Sequence, residues 1–384
     1  MASQSKTKTS KAARRRDSGR APVRYAVVGL GHIAQTAVLP AFAHARRSSA
    51  LCALISDDPA KLRKLGARYR VDHLAPYARY EDALRESRAD AVYIALPNTM
   101  HREYTERAAR MGVHVLCEKP LAANAGDCEA MIRSASEHGI QLMTAYRLHF
   151  DPANLQAAKL ASSGKLGELR AFSSTFTMQV KPGNSRLDAE LGGGPLLDIG
   201  IYCINAARML FGAEPIEVLA ANATSEDERF AEVSEMVSAV LRFPGHRLAT
   251  FTCSFGAADS SAYDLIGRRG RLRLDPAYEH SESLVLHTQI GARRARTAFP
   301  RQDQFARELL HFSECVREGR DPQPSGVEGW VDVAIIEAIR EAARSGASVE
   351  LELPAPAQRP APSQRMQTPP PRHAATVHVE SPSY

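Results

Sequence analysis

The sequence predicts an α/β protein in two parts: an N-terminal doubly wound parallel sheet, then a C-terminal α+β domain built on a large, mainly antiparallel open sheet. Three observations lead there. Between residues 23 and 145, short and almost continuous apolar strands alternate with helical patterns, as in a parallel sheet covered on both faces. Gly29-x-Gly31-x-x-Ala34 stands between the first strand and the first helix. From 166 to 300 the apolar segments lengthen and alternate with polar residues, which suits antiparallel strands with one covered face.

Taken in order, ordered structure is expected to begin at Arg24 to Val28, a compact strand. A helical pattern follows through Ile33, Ala37, Val38 and Phe42, interrupted or kinked at Pro40. Ala50 to Ile55 reads as the second strand, and Leu62, Leu65 and Tyr69 mark a helix over 59–70. A short helix around 81–87 leads to a strand from Ala91 to Leu96, broken by Pro97-Asn98. His101 to Met111 is helical and stopped by Gly112; Val113 to Glu118 is the next strand; Asn124 then caps a helix closed by Gly139. In the second part, Leu169–Thr177, Val237–Phe243, Leu248–Phe255 and Arg271–Leu274 read as strands. A buried helix is expected over 195–211, and two further helices over 301–318 and 327–345. These patterns set the expected divisions at 1–22 (a disordered basic tail), 23–145, 146–353 and 354–384 (a disordered Pro-rich tail).

Composition narrows the function classes. A chain of 384 residues suffices for two cores. Lys6, Lys8, Lys11, Arg14, Arg15, Arg16 and Arg20 against Asp17 account for the whole formal charge of +6. The body is therefore not basic, which argues against a nucleic-acid partner. No apolar run reaches the roughly 18 residues that span a bilayer, so no membrane partner is expected. The N-terminal arginines precede Asp17-Ser-Gly-Arg20 rather than an apolar stretch, so they read as a solvated tail and not an export signal. Six cysteines without a C-x-x-C pair suit reduced thiols in a cytoplasmic protein, and the histidines show no ligand spacing, so no metal is expected.

The glycine motif carries the first chemistry. Gly29 permits a tight turn, Gly31 lets the backbone approach a pyrophosphate, and Ala34 is small enough for close packing of helix on strand. With the helix N-terminus facing the phosphates, this is a Rossmann dinucleotide site, and His32 and Ile33 fall in the same loop. An enzyme preferring NAD places an acid at the end of the second strand to hold the ribose diol. Here Ser56 stands there, with Lys61, Arg63 and Lys64 a turn later, which suits the 2′-phosphate of NADP. Two other readings stay open: the cations as a solvated helix face, and Asp57 on the diol of NAD.

Two further stretches carry the reacting groups. Lys119 sits between Glu118 and Pro120 at the end of an apolar strand, placed to meet a ligand. Within 194–211, Asp198, Tyr202 and Asn205 are spaced to share one face of a helix that is otherwise apolar. That stripe faces either a cavity or buried backbone groups that it satisfies.

The order Gly-x-Gly-x-x-Ala, Leu96-Pro-Asn-x-x-His101, Glu118-Lys119-Pro120 and Gly192-Gly-Gly-x-Leu-x-Asp198-x-Gly200-x-Tyr202 resembles the Gfo/Idh/MocA oxidoreductase family over about 23–350. Tyr146-Arg-x-His149-x-Asp-Pro152 and Glu214-Pro-Ile-Glu-Val218 are most similar to its glucose–fructose oxidoreductase branch. The resemblance implies an NADP-dependent enzyme, with NAD the lesser alternative, that moves a hydride between the nicotinamide and a sugar, oxidising an aldose to a lactone or reducing a carbonyl. It implies Lys119 and Tyr202 as catalytic groups and Asp198 as the carboxylate on the substrate. Pro97, Asn98, His101, Glu118 and Arg147 fall on the cofactor side, and His149 and Arg186 toward the substrate, with a structural role for His149 equally open. Many relatives carry a tryptophan beside that arginine where this chain has Ser185, so the resemblance does not carry the sugar's identity. It also implies a homodimer or homotetramer formed through the second sheet.

The assignment is chemically coherent. A tyrosine of ordinary pKa, about 10, is a poor base at neutral pH, and a neighbouring ammonium favours its phenolate. Lys119 would then tune and position Tyr202, the acid/base, while Asp198 orients the sugar. Two other classes compete: a catalytically silent nucleotide-binding sensor, and a hydrolase or lyase that oxidises its substrate only transiently.

Overall fold

The first parallel sheet is assembled from strands that are buried almost from end to end. The structure, a computed structural model, describes residues 21–355, 360, 364, 366–370, 375–379 and 381–383; residues 1–20 of the expected basic tail lie outside them. The strands are β1 (Val23–Val28), β2 (Ser49–Ile55), β3 (His73–Ala75), β4 (Ala91–Ile94), β5 (His114–Glu118) and β6 (Leu142–Ala145), ordered β3-β2-β1-β4-β5-β6. All their pairings are parallel. The order reverses between β2-β1 and β1-β4, which is where a doubly wound sheet opens a ligand crevice at its strand ends.

The helices here are α1 (Leu39–Ala45), α2 (Pro59–Tyr69), α3 (Tyr80–Glu86), α4 (His101–Arg110) and α5 (Ala125–Glu137). One sheet face packs Ala26, Val28, Ile55 and Val92 against Tyr104, Ala108 and Met131. The other packs Tyr25, Val27, Leu54 and Tyr93 against Val38, Phe42 and Leu65. The interruption expected at Pro40 lies one turn earlier: Ala34–Val38 is a π-helical turn, and Pro40 sits in the first turn of α1, where its missing N–H costs nothing.

After α6 (Pro152–Ser162) come β7 (Leu169–Gln179) and α7 (Ile201–Phe211), then β8 (Glu217–Ala223), β9 (Met236–Phe243), β10 (Arg247–Ser254), β11 (Gly256–Gly267), β12 (Gly270–Leu274), β13 (Leu284–Ile290) and β14 (Arg293–Phe299). They join a nine-stranded sheet, ordered β14-β13-β12-β11-β7-β10-β9-β8-β15, whose last strand β15 is Val349–Glu350. Only β7 and β10 pair in parallel; the other neighbours are antiparallel. β9 alternates buried and less buried residues, with Val237, Ala239, Leu241 and Phe243 inward, as one covered face requires. α7 lies wholly buried beneath that face.

The last two helices, α8 (Gln304–Glu318) and α9 (Gly326–Ser345), correct the expected division at 146–353. α8 returns to the first sheet. Phe305, Leu309 and Phe312 join the cluster of Tyr25 and Val27, and the hydroxyls of Tyr25 and Ser313 bond at 2.9 Å. α9 serves both parts, with Val333 packed in the first and Ile335, Ile336 and Ile339 in the second.

The expectation of a disordered segment at 354–384 is also corrected, for its described residues. Thr368 donates to the Asp303 carbonyl at 2.8 Å, and Val377 is 5% exposed within the cluster of Val27, Leu30 and Phe305. Proline richness removes periodic secondary structure, but it does not stop single apolar side chains from docking.

Candidate active site

The two parts meet over a cavity of about 1380 Å³. Single small-molecule sites usually span roughly 300–1,000 Å³, so this one has room for a dinucleotide and a sugar together. Gly31, His32, Ile33, Pro97, Asn98, Glu118, Lys119, Arg147, Arg186, Asp198 and Tyr202 all line it.

Lys119 arrives at the end of β5, where the ladder stops. Its Nζ donates to Asp198 Oδ1 and to the Asp198 carbonyl, both at 2.7 Å. Arg186 Nε donates to the other carboxylate oxygen, Oδ2, at 2.6 Å. Asp198 therefore joins a cation from the first part to one from the second. Burial would raise its pKa, but Arg186 and then Lys119 outweigh that and hold the carboxyl well below the usual range. For Lys119 burial acts downward, and Asp198 and Tyr202 reverse it, so its ammonium is held above the ordinary lysine value.

Tyr202 is flanked by two cations. Lys119 Nζ is 5.0 Å and Arg147 Cζ 4.9 Å from its ring centroid. The ring rests on Phe176 and Tyr278, with centroids 5.7 and 5.9 Å away, and is 8% exposed. Arg147 is fixed from behind by Gln304 Oε1, at 2.8 Å, and by the Tyr278 carbonyl.

Local geometry explains how the helix presents these groups. Leu196–Gly200 forms a π-helical turn leading into α7, the wider spacing often found at functional sites. Gly193 has to be glycine, since a Cβ there would lie 2.5 Å from the Arg186 carbonyl oxygen. Asn98 Nδ2 donates to the Gly192 carbonyl at 2.8 Å, tying the loop after β4 to this turn.

The expected polar stripe splits. Asp198 and Tyr202 face the cavity, whereas Asn205 turns into a buried network. It accepts from His149 Nε2 at 2.9 Å and donates to Asp332 Oδ2 at 2.8 Å. His149, 2% exposed, thus stands behind the cavity and not among its lining residues, which corrects its placement against substrate. Arg208 anchors the same network on Glu214 and Asp332.

His101 is likewise removed from the cofactor side. It is fully buried, with Nδ1 3.0 Å from the Pro120 carbonyl and Nε2 2.9 Å from that of Leu96, so it ties together the two loops that carry Asn98 and Lys119. Ser56 is 4% exposed at the end of β2, and Lys61 lies in the first turn of α2; neither side chain lines the cavity. The acids beside them are already engaged. Asp57 Oδ1 accepts from the Tyr77 N–H at 2.8 Å, and Asp58 caps α2.

The residues fit a dinucleotide on structural grounds. Gly29 takes φ +88° in the turn, where a Cβ would sit 2.4 Å from the Ala95 carbonyl oxygen, while a Cβ on Gly31 would meet nothing within 4 Å, on the cavity side. A bare backbone thus faces open space where phosphates need to approach. Glu118 lines the same cavity and accepts from the Tyr93 hydroxyl at 2.7 Å; burial raises its pKa.

Several lining residues carried no motif in the sequence. Glu279 and His280 follow β12, and Lys181 follows β7. Burial, with Arg147 and Arg301, pushes His280 down to about 3, so its imidazole is neutral. Only hindsight about which strand ends face the crevice would have found them.

A parallel sheet with a glycine-rich turn and a lysine at its strand ends, facing a tyrosine from a second domain, defines a two-domain pyridine-nucleotide oxidoreductase. Residues 23–146 match the family described as "Oxidoreductase family, NAD-binding Rossmann fold", and residues 154–273 the GFO/IDH/MocA C-terminal domain. D-xylose 1-dehydrogenase [NADP(+)] of Haloarcula marismortui is 33% identical over 342 residues, covering 86% of this chain and 94% of that one. The aldose-aldose oxidoreductase of Caulobacter crescentus, solved with glycerol, superposes with a TM-score of 0.83 at 38% identity, over 86% of this chain and all of that one. A 3-ketoreductase of Actinomadura kijaniata, solved with NADP and TDP-benzene, gives 0.75 at 30% identity, over 84% and 98%. The chain belongs to the Gfo/Idh/MocA oxidoreductase family.

Proposed function

We propose that Tyr202 is the acid/base of an NADP-dependent sugar oxidoreductase, with Lys119 its partner and Asp198 the group that fixes Lys119. The observation that carries this is the meeting of Lys119, at the end of β5, and Tyr202, on α7, in one cavity beside the Gly31 turn. The Gly29–Gly31 turn, with Pro97, Asn98 and Glu118, would hold NADP there, and the nucleotide would supply the hydride acceptor or donor.

In the oxidising direction, Tyr202 accepts the proton of the substrate hydroxyl as the C–H bond on the same carbon breaks, leaving a carbonyl; for the anomeric carbon of an aldose the product is a lactone. The phenolic oxygen gives up its negative charge as that proton arrives and regains it in the reducing direction, and Lys119 and Arg147 are the cations beside it. Two N–H groups of Lys119 are committed to Asp198, which leaves one for a substrate hydroxyl. Arg186 and the remaining lone pairs of Asp198 orient the sugar. In the reducing direction Tyr202 returns the proton to the carbonyl oxygen.

The acceptance of sugars by both the xylose dehydrogenase and the aldose-aldose oxidoreductase supports this substrate class. The six cysteines are free and buried, which suits a reducing cytoplasm. Among the described residues no helix is long and apolar enough to cross a membrane. Assembly as a homo-oligomer through the open face of the second sheet is supported by Leu219, Leu248 and Ile266, which are 50%, 46% and 45% exposed. The test is to identify any nucleotide bound to the purified chain, then to screen aldoses and ketoses for its reduction and reoxidation. Nucleotide redox change with no sugar would contradict the assignment. Turnover of a glycoside without net nicotinamide change would favour a transient-oxidation hydrolase or lyase, and nucleotide binding without any turnover a silent sensor.

A further inference from the structure

We infer that residues 375–379 and 381–383 are part of the nucleotide site: the described parts of a strap anchored in both domains along the cavity, which slows release of the bound dinucleotide. The inference rests on the reading of the cavity as an NADP site.

The strap is fastened first beside the phosphate turn. Gln35, one residue beyond the Gly29–Ala34 motif and 1% exposed, grips Val377 on both sides. Its Nε2 donates to the Val377 carbonyl at 2.9 Å, and its Oε1 accepts the Val377 N–H at 2.7 Å. The same Nε2 donates to the Leu30 carbonyl at 2.8 Å, inside the glycine turn itself. One side chain therefore couples the strap to the backbone that faces the phosphates. The Val377 side chain is buried with Val27, Leu30 and Val38, and Arg68 of α2 donates to the Ala375 carbonyl at 2.6 Å.

The next residue turns toward the ribose end. His378 takes φ +49°, the left-handed region that a non-glycine residue enters only when its surroundings hold it there. Its Nδ1 lies 2.9 Å from Asp58 Oδ2, at the cap of α2 and two residues from Ser56. The far end of the strap is fastened to the second domain. The Lys181 N–H donates to the Pro382 carbonyl at 3.1 Å, and Ser383 pairs in antiparallel fashion with Val180, just past β7. Between these anchors His378, Val379, Ser381, Pro382 and Ser383 line the same cavity as Gly31, Lys119 and Tyr202.

The consequence is mechanical. A cofactor that leaves by parting of the two domains has to break the strap at one of its ends, so the strap's contacts add to the barrier for release. They act mainly on the off-rate, as contacts that must break before departure do. A segment that merely stabilised the body would need neither the lining residues nor an anchor in each domain.

Three variants test this against the full chain: a chain ending at Pro370, which retains the Thr368 contact, and the full-length substitutions Val377→Asp and His378→Ala. Each protein is loaded with NADPH and chased with excess NADP⁺ in a stopped-flow instrument, following NADPH fluorescence, with a thermal melt of each as control. Unseating one buried valine is expected to speed release by about tenfold or more in the first two variants, and loss of the histidine by a smaller factor. Release rates within twofold of the intact chain in both the truncated and the Val377→Asp proteins overturn the proposal, even if melting falls, since the segment is then structural only. Slower release or tighter binding on truncation also overturns it, because the segment then competes with the nucleotide. No sugar enters the measurement, so failure of the sugar assignment leaves the result intact. An intact chain that binds no NADPH overturns the nucleotide reading itself, and the strap with it.

Discussion

Lys119, just past β5, and Asp198, 79 positions on in the turn before α7, form two contacts at 2.7 Å, one to the carboxylate and one to the main-chain carbonyl. The second contact fixes the turn leading into the helix that presents Tyr202, so the ion pair places Tyr202 as well as the lysine. With Arg186 on the other oxygen, Asp198 is a joint between domains.

Asp198→Asn keeps the shape and removes the charge. It is expected to lower kcat by about 10-fold or more through misplacement of Lys119, and to destabilise the protein by about 1–3 kcal/mol, less than for a fully buried pair because the Asp198 side chain is 20% exposed. Steady-state kinetics and urea melts of the two proteins check both numbers.

The same pair predicts a pH dependence of stability. Asp198 has a depressed folded-state pKa, so its contribution is present above the unfolded value of about 3.9 and is lost as pH falls toward the folded one. Lys119 has a raised folded-state pKa, so its contribution is present below about 10.4 and is lost as pH rises through the folded value. The stability gap between the parent and Asp198→Asn should therefore hold steady from about pH 5 to 9 and shrink below about pH 4. Urea melts across that range measure it, and a gap that grows on acidification contradicts the geometry.

Nucleotide preference follows from Ser56, which stands at the end of β2 where an enzyme preferring NAD places an acid. NADPH should bind about tenfold or more tightly than NADH, and Ser56→Asp should narrow that gap by placing a carboxylate at the strand end. Fluorescence titrations with both nucleotides decide it; tighter NADH binding by the parent chain is the contrary result.

Arg208 tests the buried network behind the site. Its side chain is fully buried against Glu214, Glu328 and Asp332. Arg208→Ala leaves those acids without their cation and should cost about 3–5 kcal/mol, read from the shift in a urea midpoint.

Much of the first domain is legible in the sequence because parallel strands buried on both faces, such as Ala91–Ile94, leave unbroken apolar runs. β3 is not, since His73–Ala75 is too short to show a period. Lys119, Asp198 and Tyr202 were within reach through motif and spacing, whereas the π-helical turn at Leu196–Gly200 was not, and it is after this turn that Asn205 faces the His149 network instead of the cavity. His101 reads as the start of a helix on the cofactor side, yet its two ring nitrogens face three carbonyls, a fact only the folded backbone supplies. The return of α8 to the first sheet depends on partners nearly 300 positions away, as in Tyr25 with Ser313, and local pattern carries no trace of such pairings. Composition misled at Val377, because an average over a proline-rich segment hides a single residue gripped by Gln35.

The central claim is that Tyr202 moves the proton while Lys119 holds it in place. The most direct measurement is single-turnover hydride transfer in the parent, Tyr202→Phe and Lys119→Ala proteins, each mixed with NADPH and a saturating substrate identified by the sugar screen, with NADPH affinity determined separately. The account predicts that transfer slows by about 10² or more in both variants while NADPH affinity stays within a few-fold. Transfer at the parental rate in both would contradict it.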